Sequence, residues 1–392
     1  MTTRELLRLI SAQICLHTTM SGLRLAAPLL ALQLGYSAFA VGLLIALFAL
    51  TQVFLALPAG RFADRHGLQR PLRYSVVAAS IGVAAAALWP SFATLCLAAL
   101  ATGGATGASV IALQRHVGRT AVGTGQLRRV FSWLAIAPAL ANFVGPFGAG
   151  LLIDHAGRAP GDLTSFRVAF AVMAFMPVAC WLLARKAKEG ELTLPTSEVL
   201  PSRAIDLLGQ PMFRRVIFVN WLQSSCWDVH SFMLPLIGHA LELPASVIGS
   251  ILGAFAVAAA AVRLMLPLLA ARVPERLVIL ASSVVTVLAF IAYPLLSSPW
   301  SMALCSMLLG AALGAVQPMV MSMLHQITPP HRVGEALGLR MMLVNASSVA
   351  MPMLAGSLGA AVGTAGVFWI VAAAVAGGTR AVWRLDMDNA GH

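Results

Sequence analysis

Asp228 is the only acidic residue deep within an apolar segment of this chain, and His230 follows it by two positions. Arg24 lies in another apolar segment, four residues before Pro28. Because an ionisable side chain is costly in hydrocarbon, residues of this kind usually bind an ion or a substrate. Asp228 and His230 therefore predict a proton or substrate site. A structural ion pair between Asp228 and an arginine such as Arg24 is the alternative.

Other polar and aromatic residues in apolar segments are further candidates for binding a substrate or a proton. Arg263 adds a second cation, although it lies near the end of its segment, where snorkelling to the interface is the favoured explanation. Asn142 and Gln223 either bond to a substrate or join neighbouring helices. Trp227 either lines an aromatic cavity or belongs to the interfacial belt.

The composition excludes a water-soluble protein. The 392 residues are 59% hydrophobic and only 10% charged, with a mean hydropathy of +0.86, whereas soluble domains carry about 25% charged residues. The net charge of +12 comes from arginines that recur between apolar segments, including Arg332 and Arg340, rather than from one basic domain. This distribution is typical of cytoplasmic loops and argues against nucleic-acid binding.

Twelve apolar segments are each near the length of a membrane-spanning helix. They cover residues 9–34, 39–59, 72–89, 92–112, 128–152, 166–184, 213–238, 245–269, 277–296, 300–323, 339–358 and 364–383. The basic residues of alternate loops place both termini in the cytoplasm. The high ratio of Arg to Lys suggests a GC-rich bacterium, so we expect an inner-membrane, multi-pass protein.

The two halves of the chain repeat at a constant offset of 207 residues. The offset places Phe48 on Phe255 and Gly103 on Gly310, among other pairs. Six spans separate the copies, so they run parallel and predict a binding site at the midplane between two bundles. We expect an N-terminal bundle (1–184), a cytoplasmic central loop (185–211) and a C-terminal bundle (212–392).

Two short stretches stand out by their spacing. The charged stretch at Pro58–Arg70, with Gly60 and Gly67, predicts a tight turn between the second and third spans. Within it, Arg65 and Arg70 hold the turn on one side of the bilayer, and Asp64 is a partner or helix-end ligand. In the fifth span, Gly145, Pro146 and Gly150 predict close helix packing and a bend.

Both stretches resemble signatures of one family. Gly60, Asp64, Arg65, Gly67 and Arg70 resemble the cytoplasmic loop motif of the major facilitator superfamily. In addition, Gly145, Pro146 and Gly150 resemble the fifth-helix motif of its proton-coupled drug exporters, with Ala149 in place of a glycine.

The resemblance implies a defined architecture and mechanism. The expected fold is an all-α membrane protein of twelve transmembrane helices in two parallel-repeat six-helix bundles. The loop motif would clamp the cytoplasmic side, and the fifth-helix motif would favour export. Drug exporters commonly carry an arginine in the fourth span, and Thr94–Val110 has no charged residue.

The resulting prediction is a secondary transporter that moves a small amphipathic molecule by alternating access. Proton-coupled efflux of a drug, an organic acid or a siderophore-like compound is favoured. The alternatives are proton-coupled uptake of an organic anion or other metabolite, and a sensor or scaffold with a transporter fold that does not transport. We expect no enzymatic activity, no metal and no cofactor beyond a proton gradient. The expected partners are the substrate and the lipid bilayer, with the protein monomeric and not bound to nucleic acid.

Overall fold

The computed structural model describes residues 3–120, 124–159, 161–187, 204–269, 274–328 and 333–383. Helices dominate these residues, and no strand occurs among them. The first six helices are α1 (Thr3–Gln33), α2 (Ala38–His66), α3 (Gln69–Leu88), α4 (Phe92–Thr120), α5 (Thr124–His155) and α6 (Leu163–Ala184).

The second half of the chain repeats this plan. It contains α7 (Pro211–Ala240), α8 (Ala245–Leu269), α9 (Glu275–Ala292), α10 (Pro299–Ile327) and the helical stretch Val333–Trp383. Gly363 has φ 74° and ψ 170° and divides that stretch into α11 (333–362) and α12 (364–383). Each of the twelve predicted spans therefore corresponds to a helix, and the all-α membrane fold is confirmed.

The helices are long enough to cross a bilayer. Eight helical stretches of the described residues are long and apolar enough by composition, and the last of them, Leu339–Arg380, covers both α11 and α12. The remaining helices α1, α5 and α7 contain 31, 32 and 30 residues. At about 1.5 Å per residue, each exceeds the ~30 Å hydrocarbon thickness. Polar residues within α1 and α7 explain their lower hydropathy and mark where sites can lie.

Large apolar side chains cover the surface. Phe175 is 70% exposed and Trp300 is 82% exposed. Exposed aromatic and aliphatic residues of this density are unfavourable in water but match a lipid environment.

Packing divides the chain into two compact units. The first contains Met1–Ser197 with Pro235–Gly253, and the second contains Glu198–Leu234 with Ala254–His392. Leu9, Leu72 and Leu113 belong to the buried core of the first unit, and Phe213 and Val320 to that of the second. The predicted boundaries at 184 and 212 remain a prediction.

Both units contain the same close contact between helices. A Cβ atom on Gly103 would collide with the backbone carbonyl of Phe48, where α4 crosses α2. In the second unit, a Cβ atom on Gly310 would collide with the backbone carbonyl of Phe255, where α10 crosses α8. The offset of 207 residues relates Phe48 to Phe255 and Gly103 to Gly310. The sequence repeat therefore corresponds to a repeated packing contact.

Candidate functional site

The charged stretch at Pro58–Arg70 is mostly helix rather than turn. The prediction of a turn over Pro58–Arg70 is wrong, because α2 continues through Pro58 to His66 and α3 begins at Gln69. A helix satisfies its own backbone hydrogen bonds, so α2 extends beyond the apolar span without a loop. Only Gly67 and Leu68 separate the two helices.

Gly67 is the residue of this motif that needs to be glycine for its conformation. Its φ is 72°, and its N–H donates to the Ala63 carbonyl at 2.8 Å, which ends α2. By contrast, Gly60 lies within the helix and has room for a Cβ, whose nearest neighbour would be Ile111 Cγ2 at 3.9 Å. Arg65 and Arg70 are exposed. The side chain of Asp64 lies outside the described residues, so its role as a partner or helix-end ligand remains a prediction.

The motif of α5 packs closely against α1. A Cβ atom added to Gly145 would lie 2.7 Å from the Gly22 nitrogen and 2.8 Å from the Thr18 carbonyl oxygen. Ser21 Oγ adds a hydrogen bond of 2.7 Å to the carbonyl of Ala141 in α5. Gly145 therefore permits an approach that any side chain would prevent.

The other end of the motif faces the start of α8, within the same unit. The Pro146 carbonyl lies where a Cβ of Gly249 would be, and a Cβ on Gly150 would lie 2.6 Å from the Ser246 Cα. The predicted close packing is thus present on two sides of α5.

Two predicted site residues belong to the first unit. Arg24 is half-buried in α1 and Asn142 is half-buried in α5. The other five, Gln223, Trp227, Asp228, His230 and Arg263, belong to the second unit. That Arg24 forms an ion pair with Asp228 remains a prediction.

Asp228 is held by two serines of α11. It is 6% exposed, and Ser348 Oγ lies 3.0 Å from Oδ1 and 3.1 Å from Oδ2. Ser347 Oγ lies 3.3 Å from Oδ2 and 2.8 Å from the hydroxyl of Ser225. A serine hydroxyl can donate to a carboxylate or accept from a protonated acid. This pocket can therefore accommodate either protonation state of Asp228.

His230 faces another helix and shares none of these hydrogen-bond partners. Its Nε2 pairs with Ser306 Oγ of α10 at 3.0 Å, and the same hydroxyl pairs with Tyr293 Oη at 2.9 Å. The imidazole also stacks on Phe255, with ring centroids 4.6 Å apart. Residues two apart on a helix point to roughly opposite faces, so His230 is fully buried on the side of α7 away from Asp228. Its role at a proton or substrate site remains a prediction.

Gln223 and Trp227 lie on α7 before Asp228, and Arg263 of α8 contacts Trp227. The Gln223 amide donates to Ser283 Oγ of α9 at 2.8 Å. The guanidinium carbon of Arg263 lies 5.6 Å from the centroid of the Trp227 ring, and Arg263 Nε donates to the Gly314 carbonyl at 3.3 Å. Arg263 thus contacts Trp227 and Gly314 within its own unit. That it snorkels to the interface remains a prediction.

Arg340 is a buried residue that the sequence pattern places among the loop arginines. It is 6% exposed, and its Nε donates to Asn220 Oδ1 of α7 at 3.2 Å. The signal that could have identified it is its position inside the predicted span at 339–358, seven residues before Ser347 on one face of α11. In the second unit, α7 thus carries the carboxyl group of Asp228 and contacts two arginines of other helices, Arg263 and Arg340. Such a set of groups can bind protons and organic ions.

Comparisons with known proteins agree with this fold. The Major Facilitator Superfamily matches residues 9–225 and 216–388. The multidrug resistance protein MdtG of Salmonella paratyphi B is 26% identical over 347 residues, covering 84% of this chain and 81% of that protein. MdtG of Salmonella typhimurium is 26% identical over 341 residues with the same coverage.

Solved transporters share the architecture at low sequence identity. A variant of the nucleoside transporter NupG has a TM-score of 0.79 and 13% identity, covering 97% of this chain and 99% of that one. A bacterial homologue of the human lysosomal transporter Spinster has a TM-score of 0.76 and 14% identity, with coverage of 98% and 95%.

Proposed function

Because the chain belongs to the major facilitator superfamily, we propose that it exports a small amphipathic molecule across the membrane in exchange for protons. Asp228 carries the proton, and the substrate binds beside it in the same half of the chain. The positive-inside pattern supports cytoplasmic termini, and the Salmonella relatives support a bacterial inner-membrane location.

The observation that carries this proposal is the environment of Asp228. The carboxyl group is buried in a membrane-spanning helix and contacts two hydroxyl groups that tolerate its charged and neutral forms. A side chain that only stabilised the fold would need one protonation state. A proton carrier needs both, each with hydrogen-bond partners.

The direction of transport is supported by two independent features. The relatives at 26% identity are multidrug resistance proteins. The α5 motif at Gly145, Pro146 and Gly150 resembles that of drug exporters and packs against both α1 and the start of α8. Close packing along this helix would limit leakage of protons and substrate.

The test is transport by purified protein in liposomes loaded with a fluorescent amphipathic dye. We expect wild type to move dye against its gradient when a proton gradient is imposed. Asp228→Asn should abolish this pH-driven movement and leave exchange of dye for dye intact. Asp206→Asn, which changes an exposed carboxylate, should behave as wild type.

Three outcomes would contradict parts of the proposal. Unchanged coupling in Asp228→Asn would remove Asp228 as the proton carrier. Accumulation in the direction opposite to export would favour uptake of a metabolite. Binding without flux under any gradient would favour a sensor or scaffold.

A further inference from the structure

Arg340 is buried and Arg263 is partly buried, and neither has an acidic partner among the described residues of the second unit. Arg340 donates to the neutral side chain of Asn220, and Arg263 donates to a backbone carbonyl. Neither guanidinium forms an ion pair with any residue that the structure describes. Buried charges are normally paired, so this arrangement favours an anion as the missing partner.

A single face of α7 brings these groups together. Asn220, Gln223 and Trp227 follow the spacing i, i+3, i+7, which places them on one side of the helix. Arg340 binds the first of the three, and Arg263 lies over the ring of the last. Their anchor points are therefore about 10 Å apart along the helix. Between them, the buried Gln223 Oε1 has no hydrogen-bond partner among the described residues.

We propose that Arg263 and Arg340 bind the anionic head of the transported molecule, and that Trp227 contacts its apolar body. The ligand class is an amphipathic organic anion with a carboxylate head. The guanidinium groups supply charge-assisted hydrogen bonds, and the indole supplies apolar surface. In taking this ligand as the transported solute, the inference rests on the proposed function.

The Arg340 end of the anion subsite is separate from the proton site. Asp228 lies eight residues beyond Asn220 on α7, or about 12 Å along the helix, and its carboxylate oxygens accept hydrogen bonds from serines of α11. A carboxylate ligand and a charged Asp228 would repel each other less at this separation than in direct contact.

The experiment compares two ligands of matched shape and opposite charge. The full-length protein in neutral detergent is titrated by calorimetry with 1-naphthoate and with 1-naphthylmethylammonium. Wild type should bind the anion at least roughly tenfold more tightly than the cation, and Arg340→Gln and Arg263→Gln should each weaken anion binding by roughly tenfold. Arg214→Gln, which neutralises an exposed arginine of the same helix, should leave it unchanged.

Equal affinity for the two ligands, or wild-type anion binding in both arginine variants, would overturn the inference. Arg340→Lys should retain more anion binding than Arg340→Gln because it keeps the charge. If Arg340→Gln does not fold, Arg263→Gln decides the outcome. The titration needs no gradient, so a protein that binds naphthoate and shows no flux would contradict the proposed function alone.

Discussion

The carboxylate of Asp154 accepts a hydrogen bond of 2.8 Å from the backbone N–H of Ser246. Its other oxygen accepts from the N–H of Ala245 at 2.9 Å, so the last turn of α5 caps the first turn of α8. Asp154 therefore joins two helices within the first unit.

We expect Asp154→Ala to loosen the start of α8. Loss of a capping side chain costs about 0.5–2 kcal/mol, so the amides of Ala245 and Ser246 should exchange faster with deuterium. Asp154→Asn should give a smaller effect because it keeps one acceptor oxygen. His155→Ala, at the exposed neighbouring position, is the control, and equal exchange in all variants would contradict the capping role.

Gly103→Ala should destabilise the first unit. The new methyl group would collide with the Phe48 carbonyl, and overpacking of this kind costs about 1–3 kcal/mol. Thermal unfolding in detergent is the measurement. Gly148→Ala is the matched control, because a Cβ there has no neighbour within 4 Å. A similar melting temperature for both variants would show that α2 and α4 can move apart at little cost.

Gly363→Ala should disturb the junction between α11 and α12. Gly363 has φ 74° and no neighbour within 4 Å of an added Cβ, so backbone strain rather than crowding penalises the substitution, by about 1–3 kcal/mol. Gly359→Ala adds the same methyl group to a helical position with ordinary contact distances. The variant at 363 should unfold at a lower temperature than the variant at 359.

The amide of Ser165, at the start of α6, should lose its protection from hydrogen exchange in acid. Hydrogen bonds from the side chain and backbone N–H of Ser165 lower the pKa of Asp162 below its ordinary range. Its contribution to local stability is therefore present above about pH 4 and is lost as the pH falls through the lowered pKa. Deuterium exchange at Ser165, corrected for intrinsic rates, should follow this course. In Asp162→Asn, this pH dependence should be absent.

Ser348→Ala should impair proton-driven transport. The Ser348 hydroxyl contacts both carboxylate oxygens of Asp228, and a hydrogen bond to a charged group contributes about 1.5–3 kcal/mol, so we expect on the order of a tenfold loss of rate. Ser357→Ala removes an exposed serine from the same helix, whose hydroxyl bonds only locally to Leu354. Equal rates in the two variants would argue against a role for Ser348 at Asp228.

Part of the candidate site follows from the sequence, and part does not. Asp228 is identifiable because a carboxylate in an apolar span is conspicuous whatever the fold. The sequence does not show where His230 and Arg340 lie in the fold. His230 lies beside Asp228 in sequence but on another face of α7, whereas Arg340 resembles a loop residue although it is buried against Asn220.

The sequence by itself determined the twelve helices and the internal repeat, because hydrophobic length and residue spacing can be read along the chain. The tertiary structure decided the partners of the polar residues. Asp228 and its serines are about 120 positions apart, and Asp154 and Ser246 are 92 apart. Such pairs form only when packed helices bring distant turns together, and the requirement that buried polar groups be hydrogen-bonded then selects among the available partners.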